Sequence, residues 1–172
     1  MFCWRVTKYN PKNRDHNGWY TKDEWTRYND IGEIFEGQML TEAEYVKIED
    51  AYIQAVLLFV ECLSIDGLTI VGLECIERRR KTTKIDRIII KNNKFYPKKA
   101  LSIIVQSILR NKFWCKLEYD DTMYVHFGWD YYMYVSSAKA CKATIKKIEA
   151  MGLFVEKFRS PYFDEDEDED EG

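Results

Sequence analysis

The sequence predicts an α+β domain with a mainly antiparallel sheet and about three helices packed on one face. Three observations lead to this fold class. Residues 42–63 carry apolar side chains at helical spacing. Residues 114–136 alternate in polarity as strands do, and turn residues interrupt them twice. The short connections between the predicted strands are typical of hairpins, which build antiparallel sheets.

Local signals place the individual elements. Thr41 and Glu44 form a capping-box pattern at the start of the long helix. Pro97 suits the first turn of a second helix, and Ser136 or Ser137 is expected to cap a third. The predicted strands are 2–8, 68–76, 85–90, 114–120, 123–128, 131–136 and 153–158, of which 85–90 also suits a helix. The predicted helices are 42–63, 97–111 and a third that extends to residue 151.

The aromatic and acidic segment 19–40 is predicted to be irregular, with one helical turn. Two interpretations of its aromatic residues stay open. Trp19, Tyr20, Trp25 and Tyr28 either pack on the body of the domain or form a presented binding loop.

Net charge hides an asymmetry between the body of the chain and its end. The 172 residues carry a formal charge of −3, from 26 basic and 29 acidic residues. Eight consecutive acids occupy 164–171, so the remainder sets 26 basic residues against 21 acids. We therefore expect one domain over 1–163 and a disordered acidic tail over 164–172. The basic residues of 78–99 are either a solvated loop or a contact surface for nucleic-acid phosphates.

Cysteine usage and hydropathy predict a cytoplasmic protein without a membrane segment. The five cysteines are odd in number and show no CxxC spacing, which favours reduced, buried thiols over a disulfide framework. No uncharged apolar run is long enough for a membrane helix, and the first residues lack the pattern of a signal peptide. The oligomeric state does not follow from the sequence.

The pleat of the central segment predicts two faces. The inner face would consist of Cys115, Leu117, Met123, Val125, Phe127, Tyr131, Met133 and Val135. The outer face and its turn would present polar-tipped aromatic side chains, which suit a protein interface. The candidate partner-binding residues are Trp114, Tyr124, His126, Trp129, Asp130, Tyr132 and Tyr134. Two other interpretations of these residues stay open. They could form cross-strand pairs that only stabilise the sheet, or a segment such as 19–40 could cover them.

Catalytic and metal-binding motifs are absent from the sequence. It contains no phosphate-binding glycine loop, no GxSxG elbow, and no HExxH or CxxC spacing. We therefore predict no catalytic residue, no metal site and no cofactor. An unrecognised enzyme stays open as an alternative, and it would require His126, Asp130 and Glu118 to share a pocket.

The stretch VHFGWDYYMY (125–134), followed by a short helix and GLFVEKFRSPY, resembles small uncharacterised bacterial proteins of the polymorphic-toxin immunity type. This resemblance covers about the last third of the chain and carries no known catalytic residue. It implies a non-enzymatic antidote that occludes a toxin domain. The partner would then be a protein, and the many acidic residues of this chain would suit a basic toxin domain. The alternative is a nucleic-acid-associated or regulatory protein of a phage or mobile element that uses the basic 78–99 region.

Overall fold

The alternating and helical patterns of the sequence become a layered arrangement in a computed structural model, which describes residues 1–75, 82–85 and 88–163. The helices in these ranges are α1 (Glu42–Leu63), α2 (Lys98–Leu109) and α3 (Lys142–Ala150). The strands are β1 (Phe2–Thr7), β2 (Ile34–Phe35), β3 (Gln38–Met39), β4 (Gly67–Cys75), β5 (Thr82–Ile85), β6 (Ile88–Lys91), β7 (Lys94–Pro97), β8 (Phe113–Tyr119), β9 (Met123–Phe127), β10 (Tyr132–Ser137) and β11 (Phe154–Lys157).

Seven of these strands form one antiparallel sheet in the order β11-β1-β10-β9-β8-β4-β7. The strand pairs β2-β3 and β5-β6 form two separate two-stranded sheets. At the centre of the large sheet, Val125 pairs with Leu117 on one side and with Val135 on the other, and all three are buried. The predicted α+β class, with its mainly antiparallel sheet and three helices, is confirmed.

Helix α1 forms as the sequence predicts. The Thr41 hydroxyl accepts a hydrogen bond from the Glu44 amide, and the Glu44 carboxylate accepts one from the Thr41 amide, so the predicted capping box is confirmed. The helix then buries Phe59 against Trp4 of β1, with ring centroids 5.4 Å apart. Its apolar side thereby completes the core on the inner face of the sheet.

Two predicted boundaries are wrong. Ser136 and Ser137 do not cap α3, because both pair with β1 and β9 as the end of β10. The cap residue is Cys141, which has a left-handed backbone. Of the run predicted as one strand over 85–90, Ile85 ends β5 and 88–90 belong to β6, which pairs antiparallel with β5, while 86–87 lie outside the described residues. The strand β7 that follows was not predicted.

The cysteine prediction is also wrong for one pair. Cys62 at the end of α1 and Cys141 before α3 form a disulfide, with α-carbons 6.3 Å apart. This separation lies within the range that disulfides span. The sequence could not reveal the pair because 79 positions separate the two residues.

Among the described residues, none of the helices combines the length and apolarity needed to cross a membrane. The predicted disordered tail, 164–172, and two parts of the basic region, 78–81 and 86–87, lie outside the described residues.

Candidate functional site

The predicted register of the central strands is confirmed by burial. Every residue assigned to the inner face is buried, from Cys115 and Leu117 on β8 to Met133 and Val135 on β10. The aromatic side chains assigned to the opposite face therefore do lie on the outer side of the sheet. Their surroundings divide them into two groups.

The first group lies beneath the chain's own C-terminal segment, residues 158–163, which we call the strap. Its aromatic rings pack on the outer face. The ring centroids of Tyr162 and Trp114 are 5.6 Å apart, and those of Phe163 and Tyr124 are 5.2 Å apart. Phe158 lies 5.8 Å from Tyr134. Intramolecular cover was expected from 19–40 as one alternative, but the segment that provides it comes from the other end of the chain.

Polar contacts fix the strap. His126 Nδ1 and the Ser160 hydroxyl are 2.7 Å apart, and the Lys116 ammonium donates to the Tyr162 carbonyl at 3.0 Å. His126 Nε2 faces Glu118 at 3.8 Å, too far for a hydrogen bond. Only 1% of His126 and 2% of Ser160 is exposed, so a substrate could not reach this acid–histidine–serine chain without displacement of the strap. Its geometry supports attachment of the strap rather than catalysis.

The second group of candidates lies where β9 turns into β10. Trp129 is 61% exposed, while the next but one residue, Tyr131, is 3% exposed and anchors the turn in the core. Tyr52 donates from its hydroxyl to the Tyr131 carbonyl at 2.6 Å, and the Tyr131 hydroxyl also pairs with that of Tyr45. Burial raises the pKa of Tyr131 far above its usual range, so this anchor stays protonated. Trp129 is thus presented on a rigid support.

The loop from 9 to 26 presents a second tryptophan on this side of the molecule. Trp19 is 73% exposed. It sits in a tight turn where the Asp15 carboxylate accepts hydrogen bonds from the Asn17 and Trp19 amides, each at 2.9 Å. Of the aromatic residues in 19–40, Tyr20, Trp25 and Tyr28 pack against the core, as the first interpretation of that segment predicts, whereas Trp19 is exposed and its role in binding stays a prediction.

Between these two turns lies a cleft of about 370 Å³. It contains two of the predicted candidates, Asp130 and Tyr132. Trp19 and Tyr20, which also line it, were predicted either to pack on the domain or to form a binding loop. Sequence reasoning missed other lining residues, because they lie on β1 and in a loop: Arg5, Tyr9, Arg14, Lys22 and Glu24. We call residues 18–22 and 128–131 together the loop surface, which borders the cleft.

One carboxylate holds two guanidinium groups beside the cleft. Arg5 makes a two-pronged contact with Glu156 at 3.1–3.2 Å, and Arg14 reaches the same carboxylate at 3.4 Å. Arg14 also donates to the Tyr132 hydroxyl at 3.1 Å. Burial alone would lower the pKa of Arg14, but its contacts with Tyr132 and Glu156 raise it overall, so it stays charged.

A buried lysine supports the opposite wall. Lys8 pairs with Glu24 at 2.8 Å and lies 4.2 Å from the ring centres of both Tyr9 and Trp25. Burial lowers the pKa of Lys8, and the contact with Glu24 opposes this effect. The other oxygen of Glu24 accepts from Tyr20. The cleft therefore contains fixed charges of both signs between aromatic walls, an arrangement that suits recognition.

A basic surface lies at the opposite edge of the sheet. Five lysines on or next to β5, β6, β7 and α2 are exposed: Lys84, Lys91, Lys94, Lys98 and Lys99. Lys98 reaches Glu61 only at 3.7 Å, and both side chains are largely in solvent. Within the part of the chain that the structure describes, no group of histidine, cysteine and acidic residues is arranged to hold a metal ion.

Comparisons with known proteins add no further constraint. No family model, curated protein or solved structure matches this chain.

Proposed function

We propose that this chain is a non-enzymatic protein-binding module that acts as an immunity-type antidote and occludes a toxin domain. The observation that carries the proposal is the exposure of two tryptophans in the loop surface: Trp19 lines the cleft, and Trp129 lies next to Asp130, which also lines it. Exposed clusters of large apolar residues mark interaction sites, and tryptophan is enriched among the residues that dominate binding energy.

The rigidity of the loop surface supports this role. Trp129 follows Gly128, whose amide donates to the Tyr132 carbonyl at 2.6 Å, and precedes the buried anchor Tyr131. Trp19 is fixed by its own turn through Asp15. A surface that is already ordered loses little conformational entropy on binding, so more of the contact energy contributes to affinity.

The acidic groups near the strap favour a basic partner. Glu118, Asp120 and Asp121 lie where β8 turns into β9, and Phe163 contacts Tyr124 beside them. In the sequence, eight consecutive acids follow Phe163 directly. Such charge accelerates association with a basic domain and orients it, although most of the affinity would come from the loop surface.

Co-expression with the proteins encoded beside this chain tests the proposal. We expect one neighbour to be toxic when expressed alone, and the wild-type chain to restore growth and co-purify with it. Trp19→Ala and Trp129→Ala should each weaken the complex roughly 30-fold, because truncation of such a residue costs about 2 kcal/mol. Phe95→Ala is the matched control, since Phe95 is 44% exposed on β7 at the far edge of the sheet. If no neighbour is neutralised or bound, the proposal fails.

The exposed lysines at the β7 edge favour a second candidate, a nucleic-acid-associated or regulatory protein. Binding to duplex and single-stranded DNA at several salt concentrations tests this candidate. Contacts with phosphates predict an affinity that falls steeply as salt rises, and an affinity that is absent or independent of salt removes the candidate.

A further inference from the structure

The cleft beside the loop surface has the dimensions and chemistry of a small-molecule site. Its volume of about 370 Å³ lies within the range of about 300–1,000 Å³ that is usual for such sites. A protein-binding role requires only the exposed rims of this cleft. It does not explain why charged and aromatic groups line the interior.

One pole of the cleft suits an oxyanion. Only 9% of the Arg14 side chain is exposed, and its Nε has no hydrogen-bond partner among the described residues. Arg14 and Arg5 share the single carboxylate of Glu156, so this group of three keeps one net positive charge. The exposed Lys22 also lies at the rim, where it pairs with Glu36 at 3.0 Å and so adds no uncompensated charge. Guanidinium groups present paired donors that match phosphate and carboxylate oxygens.

The remaining walls suit a flat ring. Tyr9 stacks on Tyr132 with ring centroids 5.2 Å apart, and Tyr20 lies 4.8 Å from Tyr9. Trp19 stands at the rim with 73% of its surface in solvent, where an incoming ring could cover it. Aromatic side chains of this kind bind planar ligands by stacking.

Carboxylates supply a third feature. Glu24 and Asp130 both line the cleft. Within a largely aromatic cavity, a carboxylate accepts hydrogen bonds from ring or exocyclic N–H groups. A ligand that satisfies all three features carries an oxyanion at one end and a planar ring with N–H donors at the other.

We propose that the cleft binds a nucleoside monophosphate. Its phosphate would contact Arg14 and Arg5, its base would stack between the tyrosine wall and Trp19, and the amino groups of the base would donate to Glu24 or Asp130. Trp19 belongs to both proposed sites, but the nucleotide site does not depend on the protein-binding role, and a nucleotide in the cleft would leave Trp129 exposed.

Calorimetric titration of the full chain with AMP and GMP tests the site, with inorganic phosphate and adenosine as partial ligands. We expect a nucleotide to bind at least tenfold more tightly than either partial ligand. Trp19→Ala should weaken nucleotide binding about tenfold through loss of stacking, and Arg14→Gln should abolish it. Trp129→Ala is the matched control, because Trp129 is also mostly exposed (61%, against 73% for Trp19) but does not line the cleft, and it should leave the affinity unchanged.

Three results would overturn this inference. The first is the absence of nucleotide binding at millimolar concentrations. The second is phosphate binding as tight as that of AMP and GMP, which would indicate a non-specific anion site. The third is nucleotide binding that Trp19→Ala leaves unchanged. Since Trp19 is mostly in solvent, its variant should fold even if the buried Arg14 proves necessary for stability. If the wild-type chain binds a nucleotide but no protein partner, only the proposed function is refuted.

Discussion

Removal of the Ser160 hydroxyl should detach the strap from the outer face of the sheet and destabilise the protein. The hydroxyl lies 2.7 Å from His126 Nδ1, and the second ring nitrogen, Nε2, has no hydrogen-bond partner among the described residues. Ser160→Ala would therefore leave a histidine that is 1% exposed without a partner for either nitrogen. A buried polar group without a partner costs about 1–3 kcal/mol, so we expect a loss of about 2 kcal/mol.

Urea denaturation monitored by tryptophan fluorescence measures this loss. For a chain of this size, 2 kcal/mol corresponds to a fall of roughly 4–8 °C in the melting temperature. His126→Phe should remove much of the penalty when combined with Ser160→Ala, because a phenyl ring needs no polar partner and Phe163 already lies 4.9 Å from that position. Ser102→Ala, at an exposed position of α2, is the control and should change stability by less than about 0.5 kcal/mol. A Ser160→Ala variant as stable as this control would refute the account of the strap.

Three further predictions concern the body of the fold. Arg110→Met should lower the free energy of unfolding, measured by urea denaturation, by about 3–5 kcal/mol, because it removes two 2.7 Å contacts of the fully buried Glu49. The double variant Arg110→Met, Glu49→Leu should recover most of that stability, because no buried charge is then left unpaired. Asp30→Asn should cost about 1 kcal/mol at pH 7. Burial raises the pKa of Asp30, but hydrogen bonds from the backbone and side chain nearby lower it overall, so its contribution is complete above about pH 4. That contribution falls as the pH drops below about 4 and is lost only below the lowered pKa, so the difference in stability between wild type and variant should shrink as denaturation is repeated at lower pH. Gly67→Ala should lower the free energy of unfolding by about 3 kcal/mol, because a new Cβ would lie 2.1 Å from the Tyr96 carbonyl oxygen. A lower melting temperature would report this loss.

Local signals predicted much of the fold. The capping box at Thr41, the helical spacing of α1 and the alternation across β8, β9 and β10 all act within a few residues, and the structure retains them. The wrong predictions concern residues whose secondary structure depends on tertiary contacts. Ser137 has the residue type of a helix cap, but its pairing with Phe2 and Met123 places it in β10.

The candidate site shows the same division. Alternation assigned the correct face to Tyr124, His126 and Tyr134, since side-chain direction in a strand depends only on register. Alternation could not reveal what covers that face, because the strap follows β11 and reaches the outer face only in the folded chain. The cleft was missed for a related reason. Arg5 and Arg14 belong to a strand and a loop that only the folded chain brings to Glu156.

Amide hydrogen exchange of the chain, free and in complex with its partner, tests the central claim most directly. If the loop surface is the interface, amides of 18–22 and 128–131 gain protection on binding, while those of the strap exchange as they do in the free protein. Protection confined to the strap and the strands beneath it, with no change at 18–22 or 128–131, would contradict the account. Binding would then use the covered aromatic face instead of the two exposed tryptophans.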